Sequence, residues 1–149
     1  MITQRLKPQT YAITILTHGR HRHFQRTANA ELFIYTLTSY RDAGKFLLHG
    51  FVVMPDHIHT LMTPSESIAK AIQLIKGGYS HAVRQQSPGE IWHTGYHEHR
   101  IRDLQDFEAQ KQYIANNPIR KGHTNYPHVH TANSVLLDPP SHLMEQLCS

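Results

Sequence analysis

Four His-x-His pairs occur along the chain: His21/His23, His57/His59, His97/His99 and His128/His130. On a strand this spacing puts both imidazoles on one face, two residues' rise apart, which suits two ligands of one divalent metal. The pattern alone is weak, because a chain with 14 histidines produces it by chance. Context separates the pairs. The first and last sit in polar, loop-like stretches and read as surface histidines. His97/His99 falls at a strand end, with Glu98 pointing the other way, and stays open between a surface pair and a functional one. His57/His59 lies in an otherwise apolar segment, HIHTLMT, directly after Pro55–Asp56. Two neighbouring imidazoles on a half-buried face repel when protonated, and burial disfavours their charge. A shared metal removes both penalties, so this pair reads as ligands.

Tyr113 and Asn117 stand four residues apart in a helical stretch and share a face, while Ile114 turns toward the core. A tyrosine hydroxyl, with an ordinary pKa of about 10, is a poor nucleophile. Near a divalent cation that polarises a phosphoryl group it can attack. The Asn117 amide oxygen could supply a third ligand beside His57 and His59. Two imidazoles, one oxygen and open positions for water and phosphate suit Mg²⁺ or Mn²⁺ better than a closed zinc site. Taken alone, Tyr113 reads better as an amphipathic tyrosine at a helix–sheet interface.

Other histidine chemistries fail on spacing. A His-x-His-x-His nucleotide hydrolase would need a histidine where Leu61 stands. A two-histidine phosphoesterase needs Ser or Thr two residues after a histidine, which occurs nowhere. HExxH is absent, since the fifth position after His97–Glu98 is Ile101, and Gly77–Gly78 lies inside a helical pattern rather than a phosphate loop.

The elements that must position these residues follow from periodicity. Thr10–Thr17 is β-branched and apolar and reads as a strand, with a polar loop over His18–Arg26. Asn29–Asp42 carries Leu32, Phe33, Leu37 and Tyr40 at helical spacing. Phe46–Met54 and His57–Thr63 are strands too close for an intervening helix, hence a hairpin, with Gly50 marking a bulge. Ser65 or Ser67 caps a helix whose Ile68, Ala71, Ile72, Ile75, Tyr79 and Ala82 follow i, i+3, i+4, i+7 spacing. Ile91–Arg100 reads as a further strand. Asp103 with Asp106 opens a third helix, which Pro118 is expected to end. From His123 the chain is rich in Pro, His, Asn and Ser and reads as a tail or wrapping segment with a short helical turn near Leu143–Leu147. Strand, helix, strand, strand, helix, strand is the βαββαβ order of an α+β, ferredoxin-like sandwich, an antiparallel sheet with two helices on one face. The other face is left for the third helix and a site.

The 149 residues make one domain, with 39% hydrophobic and 17% charged residues, a globular balance. Cys148 is the single cysteine, so neither a disulfide framework nor a cysteine-rich zinc site is available. No apolar run approaches the roughly 20 residues of a membrane span, and no signal-peptide core is present, so a cytoplasmic setting is expected. The net charge is +4, unevenly placed. Residues 1–26 hold Arg5, Lys7, Arg20, Arg22 and Arg26 with no acid, and Arg100, Arg102, Lys111, Arg120 and Lys121 form a second basic set mixed with acids. Such a surface is either simply solvated or a match for polyanions, most simply nucleic acid.

Read together, the motifs resemble a known family. Met54–Pro55–Asp56–His57–Ile58–His59 resembles the MPDHxH signature of the HUH single-tyrosine transposases. Lys76–Gly77, Tyr79–Ser80, Trp92 and Gly95–Tyr96 resemble that family's second helix and following strand. Tyr113–Ile114–Ala115–Asn116–Asn117–Pro118 with Gly122 resembles the YIxxNPxxxG segment of its REP-associated branch. The resemblance implies a transposase domain over residues 1–122, followed by a C-terminal tail over 123–149. It implies a nuclease that cleaves and rejoins single-stranded DNA at hairpin-forming repeats. His57 and His59 would hold the metal, Mg²⁺ or Mn²⁺. Tyr113 would become linked to the DNA 5′ side and free a 3′-hydroxyl. Asn117 stands where the insertion-sequence branch has a glutamine ligand. Arg5, Lys7, Arg20, Arg22, Arg26, Lys76, Arg100, Arg102, Arg120 and Lys121 would contact DNA, and Phe24, Trp92 and Tyr96 are candidates to stack bases. Relatives include both monomers and dimers, so a homodimer stays open. The alternative on the same fold is a non-catalytic hairpin-binding protein. The joint presence of His57, His59 and Tyr113 favours the enzyme, since binding alone needs none of the three.

Overall fold

The computed structural model describes residues 8–123, 125–132 and 134–145. In chain order the elements are β1 (Tyr11–Leu16), α1 (Thr27–Asp42), β2 (Phe46–Met54), β3 (His57–Pro64), α2 (Ile68–Val83), β4 (His97–Arg100), α3 (Leu104–Arg120), β5 (Val129–His130) and α4 (Ser141–Met144). Two 3-10 turns, His18–Arg20 and His23–Gln25, link β1 to α1. The sheet order is β4-β1-β3-β2-β5, and every pairing is antiparallel. The first four strands with α1 and α2 form the expected βαββαβ sandwich. β5 extends it at the β2 edge.

Alternation along the strands divides the side chains between two cores. Ile13 and Ile15 of β1, Phe51 and Val53 of β2, and Ile58 and Met62 of β3 pack on Phe33 and Leu37 of α1 and on Ile72, Ile75 and Tyr79 of α2. Val52, Met54 and Leu61 point the other way, onto Phe107 and Ile114 of α3 and Leu143 of α4. Because Ile58 and Met62 commit one face of β3 to the first core, His57 and His59 emerge on the α3 side. The register of β2 is set by the bulge: Leu48 pairs with Met62 and Gly50 with Leu61, leaving His49 as the extra residue. Met54 pairs with His57, so Pro55–Asp56 is a two-residue turn. That turn is docked, since the Phe24 and Thr17 amides donate to the Pro55 and Asp56 carbonyls at 2.9 and 3.1 Å.

Two expected boundaries are corrected. Of the strand expected over Ile91–Arg100, only His97–Arg100 joins the sheet, and Trp92 makes an isolated bridge to Thr17. The Lys76 ammonium donates to the carbonyls of His93 and Gly95 at 3.0 and 2.6 Å, and Gly95 at φ +82° bends the chain. The chain here turns toward Lys76 of α2, and the left-handed Gly95 interrupts the extended run. Likewise α3 runs through Pro118 and stops at Gly122. The His123 amide donates to the Pro118 carbonyl and the Gly122 amide to that of Ile119, a Schellman stop built on the glycine's φ of +84°.

The chain after Gly122 is fastened to the sandwich. Tyr126 Oη donates to the Val53 carbonyl at 2.6 Å, and β5 pairs with Phe51 and Val52. Asp138 accepts from Arg41 Nε and Nη2 at 3.1 and 2.9 Å and from the Leu48 amide at 2.9 Å. The Arg41 hydrogen bond holds the Asp138 carboxyl below its ordinary range; burial opposes the shift, and the Leu48 amide and the Arg41 charge add to it. A lowered carboxylate stabilises the fold above its unfolded pKa, and that contribution is lost as pH falls through the folded value. Thermal melts from neutral pH to pH ~3 therefore show stability falling across the carboxylate range. Asp138→Asn costs about 1–2 kcal/mol at neutral pH and flattens part of that fall.

Candidate active site

The site lies on the α3 face of the sheet. His57 is buried, and its Nδ1–H donates to Asp56 Oδ1 at 2.7 Å. The other Asp56 oxygen accepts from Arg20 Nε and Nη2 at 3.1 and 2.9 Å. Burial pushes the Asp56 carboxyl up, but the hydrogen bonds and charges of His57 and Arg20 outweigh it and hold the group ionised. A carboxylate on Nδ1 fixes the ring and leaves Nε2 as the free lone pair.

His59 is buried one position beyond Ile58 on the same face as His57, with ring centroids 4.8 Å apart and planes at 74°. Asn117 Nδ2 donates to His59 Nε2 at 3.3 Å, so Nδ1 carries the proton and donates to Thr14 Oγ1 at 2.8 Å. Burial, then the charges of His57, Arg120 and Lys121, bring its pKa down to about 3. The imidazole is neutral, the form that binds metal. Asn117 is 2% exposed, and its Oδ1 is buried with no partner among the described residues. Such an orphan is rare in a folded protein and demands an explanation. A divalent cation would satisfy that oxygen and the imidazole lone pairs together, so these residues fit one. Among the described residues no group of three His, Cys, Asp or Glu side chains converges, so Asn117 would be the third protein ligand.

Tyr113 stands beside this pair. Its ring lies 5.4 Å from that of His59, and the Arg120 guanidinium sits over it at 4.8 Å. The side chain is 42% exposed, and its hydroxyl makes no hydrogen bond among the described residues. It borders a cleft of about 140 Å³ lined by Thr14, His59, His97, His99, Gln110 and Tyr113. The helix carrying it is held at both ends. Asp103 caps the first turn, and Asp106 accepts from His99 Nε2 and the Arg102 amide, each at 2.9 Å. Phe107 and Ile114 are buried beneath it, and Asn117 reaches His59 near its far end. A half-exposed tyrosine, a buried imidazole pair and an unsatisfied amide oxygen thus meet on rigid elements of one chain.

A family model described as Transposase IS200 like matches residues 6–117. The chain belongs to the IS200-like transposases. It is 24% identical over 120 residues to the REP-associated tyrosine transposase of Escherichia coli (strain K12), across 78% of this chain and 70% of that one. It is 27% identical over 94 residues to an uncharacterized protein of Haemophilus influenzae, across 46% and 52%. The solved structure of the REP-associated tyrosine transposase bound to a REP hairpin superposes with a TM-score of 0.72 at 20% identity, covering 94% of this chain and 96% of its own. The likeness to that structure is one of fold, and it bears out the α+β sandwich.

Within this IS200-like transposase the basic residues divide. Arg20 reaches the site through Asp56, and Arg120 and Lys121 flank His59. Arg22 and Arg26 are exposed on the connection that docks the Pro55 turn. Arg100 and Arg102 are exposed at the opposite end of α3, Arg102 Nε lying 3.7 Å from Asp106. Lys76 is spent on the His93 and Gly95 carbonyls. Arg5 and Lys7 lie outside the described residues. Phe24 is 1% exposed and packs on Phe33, Tyr79 and Trp92, so it is core and not a base-stacking platform. Three residues at the site carried no role in the sequence reading: Thr14, Asp56 and Gln110. Asp56 was visible inside the MPDHxH signature, and Thr14 as the polar position in the apolar alternation of β1.

Proposed function

We propose that this transposase is a metal-dependent nuclease that cleaves and rejoins single-stranded, hairpin-forming repeat DNA through a 5′-phosphotyrosine on Tyr113. The observation that carries the reading is the meeting of Tyr113, a neutral His59 and the orphaned Asn117 oxygen on one face. His57, His59 and Asn117 would hold Mg²⁺ or Mn²⁺. Bound there, the cation supplies polarisation of the scissile phosphate and offsets developing negative charge. Asp56, braced by Arg20, fixes the His57 ring, and Thr14 fixes that of His59. Tyr113 attacks phosphorus, its oxygen bonding as the bond to the 3′-oxygen breaks. Arg120, over the tyrosine ring, stands where it would compensate the phosphate charge.

Hairpin DNA is supported as partner by the E. coli relative and by the hairpin in the matched structure. The exposed Arg22, Arg26, Arg120 and Lys121 supply phosphate contacts. The residues of this proposed site all come from one chain. No described helix is long and apolar enough to cross a membrane, and action on DNA fits a cytoplasmic setting.

The test incubates the protein with Mg²⁺ or Mn²⁺ and single-stranded hairpin oligonucleotides from the DNA flanking its own gene, read by intact mass. The expected result is a covalent adduct dependent on the metal. Tight hairpin binding with no adduct in either metal overturns the enzyme in favour of a non-catalytic hairpin-binding protein.

A further inference from the structure

His97 occupies a position that the metal site does not use. Antiparallel pairing makes Thr14 the partner of both His59 on β3 and His97 on β4. His59, Thr14 and His97 therefore form one row across three strands, all on the α3 face. Cross-strand neighbours have Cβ atoms about 5 Å apart, which separates the two histidines by roughly 10 Å. Tyr113 stands over this row, and the cleft it borders is lined by His59, His97 and His99. Of those three imidazoles, His59 is bonded through both ring nitrogens, to Thr14 and Asn117, and His99 is held onto Asp106 through Nε2. His97 is exposed and, among the described residues, makes no hydrogen bond or ion pair. The non-histidine groups near it are less well placed to take a proton. Gln110 is an amide and Thr14 is bonded to His59. Glu98 alternates to the opposite face, and Asp106 already accepts from His99 and Arg102.

Resting on the phosphotyrosine reading above, we propose that His97 is the general base that takes the Tyr113 proton during strand cleavage and returns it during rejoining. In cleavage the Tyr113 Oη–P bond forms as the P–O3′ bond breaks. The hydroxyl proton passes to an imidazole nitrogen of His97, which holds it as the imidazolium until rejoining, and the leaving 3′-oxygen takes a proton from water. In rejoining, the 3′-hydroxyl oxygen attacks phosphorus, the Tyr113 Oη–P bond breaks, and the His97 imidazolium protonates the tyrosine oxygen. The 3′-hydroxyl proton goes to water. A positioned base of this kind contributes about 10²–10⁴ in rate.

The experiment compares wild type and His97→Ala in single-turnover cleavage of a hairpin oligonucleotide with saturating Mg²⁺, alongside hairpin affinity and thermal melting. His97→Ala is expected to melt like wild type, to bind the hairpin within about threefold, and to cleave at least about 100-fold more slowly. Added imidazole restores the rate, and substituted imidazoles do so in order of basicity. Pyrazole, of the same shape but a far weaker base, does not. Cleavage at the wild-type rate overturns the proposal. So does rescue by pyrazole, which marks a space-filling role, or a rate loss matched by lost hairpin affinity, which marks a phosphate contact. Failure of wild type to form any adduct is a separate result. It removes the phosphotyrosine reading, and the assignment of His97 with it.

Discussion

Tyr113→Phe abolishes strand cleavage, with adduct formation down by at least about 10⁴-fold, while hairpin affinity stays within about threefold. The substitution removes one oxygen and little else. The phenyl ring keeps its edge contact with His59 and still accepts the Arg120 guanidinium over its face. The hydroxyl has no hydrogen-bond partner among the described residues, so its loss orphans nothing. Stability is therefore expected to change by less than about 0.5 kcal/mol. Removing a nucleophile is usually ruinous because no neighbour can replace it, and no other tyrosine lines this cleft. Intact mass spectrometry on both proteins with the same oligonucleotide gives the answer. Adduct on the phenylalanine variant would move the nucleophile elsewhere and leave Tyr113 as a half-exposed interface residue.

How far the sequence carries toward this site depends on the kind of interaction. Periodicity located α2 and the β2–β3 hairpin because burial of one face is a repeating demand, and Gly50 marked a bulge that the register confirms. The His57/His59 spacing and the four-residue step from Tyr113 to Asn117 placed all four on the correct faces, since both periods are properties of the backbone. What escaped was pairing between distant segments. Lys76 reads as a phosphate ligand until the chain beyond α2 folds back and offers two carbonyls. Those same bonds shorten the strand expected from Ile91. Pro118 reads as a helix stop, yet the proline sits in the last turn and the glycine four residues on closes the helix. His97 and His99 look like one unit, but Asp106, from the next helix, engages His99 alone. The His-x-His pattern could not show that division, because it is made by α3 and not by β4.

Asn117→Leu tests whether the buried amide is there for folding or for the reaction, and the two purposes predict opposite results. If the amide served folding, removing it would cost about 1–3 kcal/mol, as for other buried hydrogen-bonding groups. Among the described residues, however, the side chain's only hydrogen bond is a long one of 3.3 Å to His59, and its oxygen is already unsatisfied. Leucine has nearly the same shape, removes the orphaned oxygen and joins the neighbouring apolar cluster of Ile114 and Phe107. Against this stands the His59 Nε2 lone pair, left without its donor. These terms oppose, so metal-free stability is expected within about 1 kcal/mol of wild type. Cleavage is expected to fall by about 10²–10³-fold, because a cation held by two imidazoles alone is bound weakly and loosely oriented. Melting in increasing Mn²⁺ separates the causes without using activity. A ligand that binds only the folded state raises the melting temperature by mass action. Wild type should show that rise and Asn117→Leu should not. A variant that loses several kcal/mol without metal, yet keeps the Mn²⁺ shift, would make Asn117 a structural amide and leave His57 and His59 to hold the cation with water. On the proposed reading, the unsatisfied oxygen of Asn117, a residue 2% exposed beside two fixed imidazoles, is stability given up for cation binding. The melting experiment tests that exchange.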